Sequence, residues 1–281
     1  MKRHKHITTI LLISVFITAY NMKKDYLFPF GSKLTPVKQT DTTAKKIFVL
    51  GVYASAVHAQ WLDKDNKIKI RAMAVASEPY IFWHGNHEEA ANIISKINIP
   101  TELGKLIPAD SLNGPSGKAL DEYYLFPLGY TRSDAWLCDL LPYACINPSQ
   151  EKALEREYNP LKAKYNLNDV TITTTPTNFA NDDRMKEILF ELKQSKAKNI
   201  ILLGDQPIKY LLPKYSNCNK KSLAEFGKNE NDYGKWHEII IDGEKYKVLP
   251  LVHPRQAASL GISSAEWTTL HKNWLNNIKN K

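Results

Sequence analysis

Short apolar runs closed by glycine recur along the chain. Lys45 to Gly51 (KKIFVLG) and Asn199 to Gly204 (NIILLG) each predict a strand buried on both faces, as in a parallel sheet. Ala135 to Leu141 (AWLCDLL) is another apolar run. Lys67 to Ala76 (KIKIRAMAVA) alternates instead, which suits a half-exposed strand. Elsewhere the period becomes helical: Met185, Ile188, Leu189 and Leu192 share one face, and Trp267, Leu270, Trp274 and Ile278 share another. His237 to Leu251 holds two strand-like runs around Asp242-Gly243, a hairpin signal. Strands alternating with helices predict an α/β layered fold with a mainly parallel sheet. Ligands in such sheets sit at the carboxyl ends of the strands, so Gly51 to His58, Asp139 to Asn147 and Val252 to Gly261 are the segments to search. Residues 22–44, with Pro29 and Pro36 among polar neighbours, are expected to wrap the surface.

With 43% hydrophobic residues in 281, the chain can bury a substantial core, and one domain over residues 22–281 is expected. Cys138, Cys145 and Cys218 are too few for a disulfide framework and lack the close pairing of a zinc or iron–sulfur site, so neither metal nor cofactor is expected. The apolar run Ile7 to Tyr20 is short for a bilayer, and no stable membrane insertion is expected. Residues 1–21 place Lys2, Arg3 and Lys5 before that run, in the order of a secretory signal. Thr18-Ala19-Tyr20 is a poor cleavage site, however, and Met22-Lys23-Lys24-Asp25 resembles an ordinary start. Two origins therefore fit: an export signal, giving an exported or tethered protein, or an extension read from the wrong start of a cytoplasmic one. Losing the three basic residues lowers the net charge from +9 to +6, which still favours phosphate-bearing partners.

The candidate chemistry lies in the segments named above. Gly51, Ala54, Ser55 and Ala56 are small enough to let backbone approach a ligand, with Tyr53 and His58 supplying polar tips; Ser55 capping a following helix is the plain structural alternative. His253, held by Pro254, suits hydrogen-bond donation to charge developing on a leaving group, and Arg255 suits a phosphate. Asn113 to Ala119 imitates a phosphate-binding loop, but Leu112 stands where the first glycine belongs and Ala119 where a magnesium-binding hydroxyl belongs. His84 and His87 have no third metal ligand in view, and Lys214, Lys220 and Lys221 read as a solvated loop.

The ordered segments LGVYAS (Leu50 to Ser55), WLCD (Trp136 to Asp139), LLGD (Leu202 to Asp205) and VHP (Val252 to Pro254) together resemble the uracil-DNA glycosylase superfamily. The resemblance extends over most of residues 27–279. It implies a three-layer α/β/α sandwich with a mainly parallel central sheet, and a monomeric hydrolase of DNA repair that flips a base out of DNA. His253 matches the histidine that stabilises the departing base anion. Pro254, Arg255 and Gln256 then lead into a DNA-contacting loop, with Arg255 to Leu260 as the minor-groove wedge. Gly51 matches the first glycine of the water-positioning segment, but Val52, Tyr53, Ala54 and Ser55 bring no carboxylate or amide. Asp139 stands nearest to the asparagine that reads the uracil edge. An ionised carboxylate only accepts, so Asp139 favours an amino-bearing base or must be protonated to suit uracil; a structural capping role is equally open. Tyr53, Phe126 and Tyr143 are candidate pocket aromatics, and Gly51 to Ser55, His58, Asp139 and Tyr143 complete the expected base pocket.

Overall fold

The computed structural model describes residues 25–260 and 264–279; the signal-like stretch 1–21 lies outside them. The apolar runs become strands β1 (Ile47–Tyr53), β5 (Ala135–Leu141) and β6 (Asn199–Leu203), all three buried through most of their length. β7 (His237–Ile241) and β8 (Glu244–Leu251) form the hairpin, with Asp242 and Gly243 both left-handed (φ 46° and 83°). Two left-handed turn residues match the natural strand twist of such hairpins. The sheet order is β5-β1-β6-β8-β7, parallel except at β7. This α/β architecture aligns the carboxyl ends of β1, β5, β6 and β8 along one sheet edge.

Helix α5 (Asp182–Ser195) packs on β5 and buries Met185, Ile188, Leu189 and Leu192. Its start is set by Asn181, whose side chain accepts the Arg184 N–H, and by Asp182 and Asp183 in the first turn. Helix α6 (Asp205–Tyr215) packs on β1 and β6 directly after Gly204. Near the carboxyl end of the chain, α8 (Ala265–Lys279) buries Leu270 and Trp274.

A second sheet departs from the sequence expectation. Residues 56–62 form strand β2 (Ala56–Leu62), not a helix, so Ser55 caps nothing there. β2 pairs antiparallel with β3 (Ile68–Ser77) and β4 (Lys105–Pro108) in the order β3-β2-β4. Only Ala54 and Ser55 separate β1 from β2, so the chain turns a sharp corner from one sheet into the other. The surface wrap expected of residues 22–44 is also corrected. Phe28 is fully buried and Phe30 packs edge-on against Trp61 and Tyr158 at 5.5 and 5.1 Å, within a second apolar cluster under β2 and β3. The Phe30 N–H donates to the Tyr158 hydroxyl, tying this segment to helix α3 (Pro148–Glu157) just before it.

The phosphate-loop imitation is a packing device. Asn113 is 2% exposed, and its amide pairs both ways with the His58 backbone, at 2.7 and 3.0 Å, extending β2 sideways. Gly85 and Gly114 let two turns touch backbone to backbone: a Cβ on Gly85 (φ 71°) would lie 1.9 Å from the Asn113 carbonyl oxygen. Gly85→Ala is therefore expected to cost about 1–3 kcal/mol through strain and overpacking together. A lowered denaturant midpoint at unchanged slope would register it.

Candidate functional site

The β1–β5 register sets Gly51 opposite Asp139. A Cβ on Gly51 would lie 2.3 Å from the Asp139 Oδ1 and 2.6 Å from the Phe82 Cζ, so glycine is required for the close approach of both side chains. Phe82 was missed by sequence reasoning. Its backbone is left-handed (φ 51°), and Arg132 holds it there by donating to the carbonyls of Phe82 at 2.6 Å, Ile81 at 3.3 Å and Gly117 at 3.2 Å. Asp121 orients Arg132 through Nε at 2.9 and 3.0 Å and also receives His84 Nε2 at 2.6 Å, so His84 belongs to this clamp.

Glu78, at the end of β3, was missed as well. It is 4% exposed, and its oxygens accept N–H groups from Ser55 at 3.1 Å and Trp83 at 3.2 Å, fastening the Gly51–Ser55 corner to the Phe82 segment. Burial pushes its carboxyl up to about 7 against the pull of those hydrogen bonds. Asp139 is 3% exposed and held well above the usual carboxylate range, by burial first and by the Glu78 charge second. The only local mark of Glu78 in the chain is Pro79 after the alternating run Lys67 to Ala76, from which its burial could not be read.

His253 emerges from the end of β8. β1 and β8 are separated by β6, which puts the two strands roughly 10 Å apart. Gly204, at the end of β6, has the His253 Cβ as the nearest atom to where its own Cβ would be, at 3.5 Å. His253 is the N-cap of the short helix α7 (Pro254–Ala257), and its Nδ1 accepts the Arg255 N–H at 3.3 Å. Burial, then the Arg255 charge, lowers the imidazole to about 4, so at neutral pH it is uncharged with its proton on Nε2. The same Arg255 charge bears on His58, likewise lowered to about 4 mainly by burial. The expected wedge loop after His253 is helical at Pro254–Ala257 and then turns through Ser259 (φ 55°) to Leu260.

Buried polar groups fix the His253 segment from behind. The Val252 carbonyl accepts the Tyr124 hydroxyl at 2.7 Å, and the Val252 N–H donates to the Tyr233 hydroxyl at 3.2 Å. Tyr233 donates in turn to His271 Nδ1 at 2.7 Å, and His271 Nε2 donates to the Tyr123 carbonyl at 3.1 Å. His271 is 1% exposed and lowered to about 4 by burial.

The remaining predicted pocket residues divide. Tyr53 shares the Gly51 face, and its ring stacks on Phe179 at 6.0 Å. Tyr143 and Phe179 line a cavity of about 540 Å³ at the carboxyl end of β5, together with Leu141, Asn178 and Arg184. Val52 sits on the opposite face of β1, half-buried. Phe126 is exposed and does not line that cavity. Lys214 pairs with Asp182 at 2.5 Å, and Lys220 lies over the Phe226 ring at 4.4 Å. Among the described residues, no group of three or more His, Cys, Asp or Glu could hold a metal ion, and no helix is long and apolar enough to cross a membrane.

A scan against known protein families and a search of curated proteins give no match to this chain.

The buried histidines make a stability prediction. Unfolded, His271 takes up a proton near its ordinary value of 6.5; folded, it refuses one down to about 4. Between these values the unfolded chain binds the extra proton, so the fold loses stability as pH falls. His271→Gln keeps an acceptor and a donor without the titration, so its stability should fall less than wild type's over that window. The difference should reach up to about 3 kcal/mol, measured by denaturant unfolding at a series of pH values.

Proposed function

We propose that this chain is a uracil-DNA glycosylase-like protein of α/β/α architecture. It accepts a base flipped out of DNA at the carboxyl edge of its main sheet and hydrolyses the N-glycosidic bond. The observation that carries this reading is the convergence of Gly51, Asp139 and Phe82 on the same sheet edge at which, two strands away, the neutral, N-capping His253 follows β8. Phe82 offers a ring face against which a planar base can lie, and Asp139 offers a carboxyl to its edge.

Cleavage of the C1′–N bond sends the bonding pair to the base, leaving positive charge on the sugar. A neutral imidazole with its proton on Nε2 can donate to the base oxygen that gains charge and needs no prior protonation at neutral pH. Because such cleavage can run ahead of water attack, a corner without carboxylate or amide at Val52 to Ser55 slows the reaction without forbidding it. Arg255 is exposed beside His253, where a DNA phosphate can reach it. A cytoplasmic site of action fits such a substrate.

That bare corner also favours a second reading, a module that binds DNA bases without releasing them. One experiment decides between the two. Purified residues 22–281 are incubated with single- and double-stranded oligonucleotides carrying uracil or hypoxanthine, and base release is followed alongside salt-dependent binding. Release from at least one substrate is expected, falling by about 10² to 10³ in His253→Ala, as loss of one preorganised donor predicts. Salt-sensitive binding with no release would favour the binding module, and neither binding nor release would remove both readings.

A further inference from the structure

At the amino edge of the main sheet, the far end of β6 from Gly204, three polar side chains form a row. The register pairs Asn199, which opens β6, with Lys247 on β8, and pairs Lys247 with Glu238 on β7. Directly paired residues point to the same face with their Cβ atoms about 5 Å apart, so an amide, an ammonium and a carboxylate stand side by side. They floor a cavity of about 450 Å³ walled by Leu128, Tyr130 and Trp236. That volume suits a small molecule.

The charges of this row are not used by the fold. Neither the Lys247 nor the Glu238 side chain has a hydrogen-bond or ion-pair partner among the described residues, although the two are cross-strand neighbours. Cations close by are committed elsewhere, Lys198 to Glu244 at 2.6 Å and Lys46 to Asp134 at 2.8 Å. Asn199 Nδ2 donates to the Tyr130 hydroxyl at 3.0 Å, which leaves the Tyr130 proton and the Asn199 side-chain oxygen to meet a ligand. Trp236 is 39% exposed, and its indole neither stacks on another ring nor donates to any described residue. An exposed ion pair between Lys247 and Glu238 would be weak, so a ligand carrying both charges can displace it.

Among the described residues that line the cavity, Lys247 is the single cation and Glu238 the single anion. One of each, side by side and next to aromatic walls, fits a ligand that carries the opposite pair on adjoining groups. We propose that this cavity binds a free α-amino acid with an apolar or aromatic side chain. Lys247 meets the α-carboxylate, Glu238 meets the α-ammonium, and the side chain lies against Trp236 and Leu128. An ammonium only donates and an ionised carboxylate only accepts, so each serves one end of the zwitterion. A neutral ring or sugar would leave both charges unanswered, and a simple anion would meet repulsion from Glu238. The cavity lies at the edge of the sheet opposite to His253, and this inference stands apart from any reading of base binding there.

NMR titration of the full chain tests this, with the Trp236 indole N–H signal as reporter. The probes are L-phenylalanine, N-acetyl-L-phenylalanine, which lacks the ammonium, and L-phenylalaninamide, which lacks the carboxylate. L-phenylalanine should bind at least about tenfold more tightly than either derivative, as loss of one charge-assisted contact predicts. K247Q should abolish the preference over the amide and keep that over the N-acetyl compound, and E238Q should do the reverse. Both side chains are exposed, so both variants should fold, which an unchanged denaturant midpoint verifies. Three outcomes overturn the proposal: no saturable L-phenylalanine binding at the Trp236 signal, equal binding of the three compounds to wild type, or preferences that survive in both folded variants.

Discussion

The approach of the Asp139 carboxyl and the Phe82 ring over a strand residue with no side chain is the contact on which the rest of the site depends. Parallel pairing of β1 with β5 sets its register, since Gly51 and Asp139 are direct partners. A shift of one residue would turn Asp139 to the other face and put a Cβ where the ring lies. Two buried polar clamps hold the remaining walls: Arg132 on the carbonyls around Phe82, and Glu78 between the Ser55 and Trp83 N–H groups. The site is thus built from three chain segments far apart in sequence, each fixed by hydrogen bonds to backbone and not by side-chain packing alone.

His253 depends on a different support. Its position comes from the end of β8, but its orientation is set by the helix it caps and by the Tyr124, Tyr233 and His271 chain behind Val252. Burial keeps both His253 and His271 neutral, so each has one donor and one acceptor nitrogen, and the tautomer of each follows from its partners. Charge at this edge is carried by Arg255, outside the imidazole, where it depresses proton uptake by His58 and His253 together.

Much of the frame was legible in the chain. β1, β5 and β6 stand on apolar runs whose meaning is local, as do the Asp242-Gly243 hairpin and the stripes on α5 and α8. That Gly51, Asp139 and His253 lie at or just beyond the carboxyl halves of β1, β5 and β8 was legible from the apolar runs that carry them. What failed was whatever depends on contacts between distant segments. In β2 the strand period is blurred, because Ala56 and Val57 at one end and Trp61 and Leu62 at the other are all buried, and its pairing with β3 carries register shifts. Phe28 and Phe30 looked like surface residues because their partners, Trp61 and Tyr158, lie far along the chain. Glu78 and Phe82 carry no motif; their importance arises from what folds over them.

Both margins of the main sheet are guarded. Beyond β7, the Asp242 N–H donates to the Tyr215 carbonyl, the Asn217 N–H to the Ile240 carbonyl, and Ser216 bridges to Ile241. Beyond β5, the Val37 N–H donates to the Pro142 carbonyl, and the Gln39 side chain accepts the Leu137 N–H. Sheet margins left bare recruit strands from other molecules. Here short crossing segments already occupy the positions such a strand would take, so crowding many copies together should not stitch them into fibrils through this sheet.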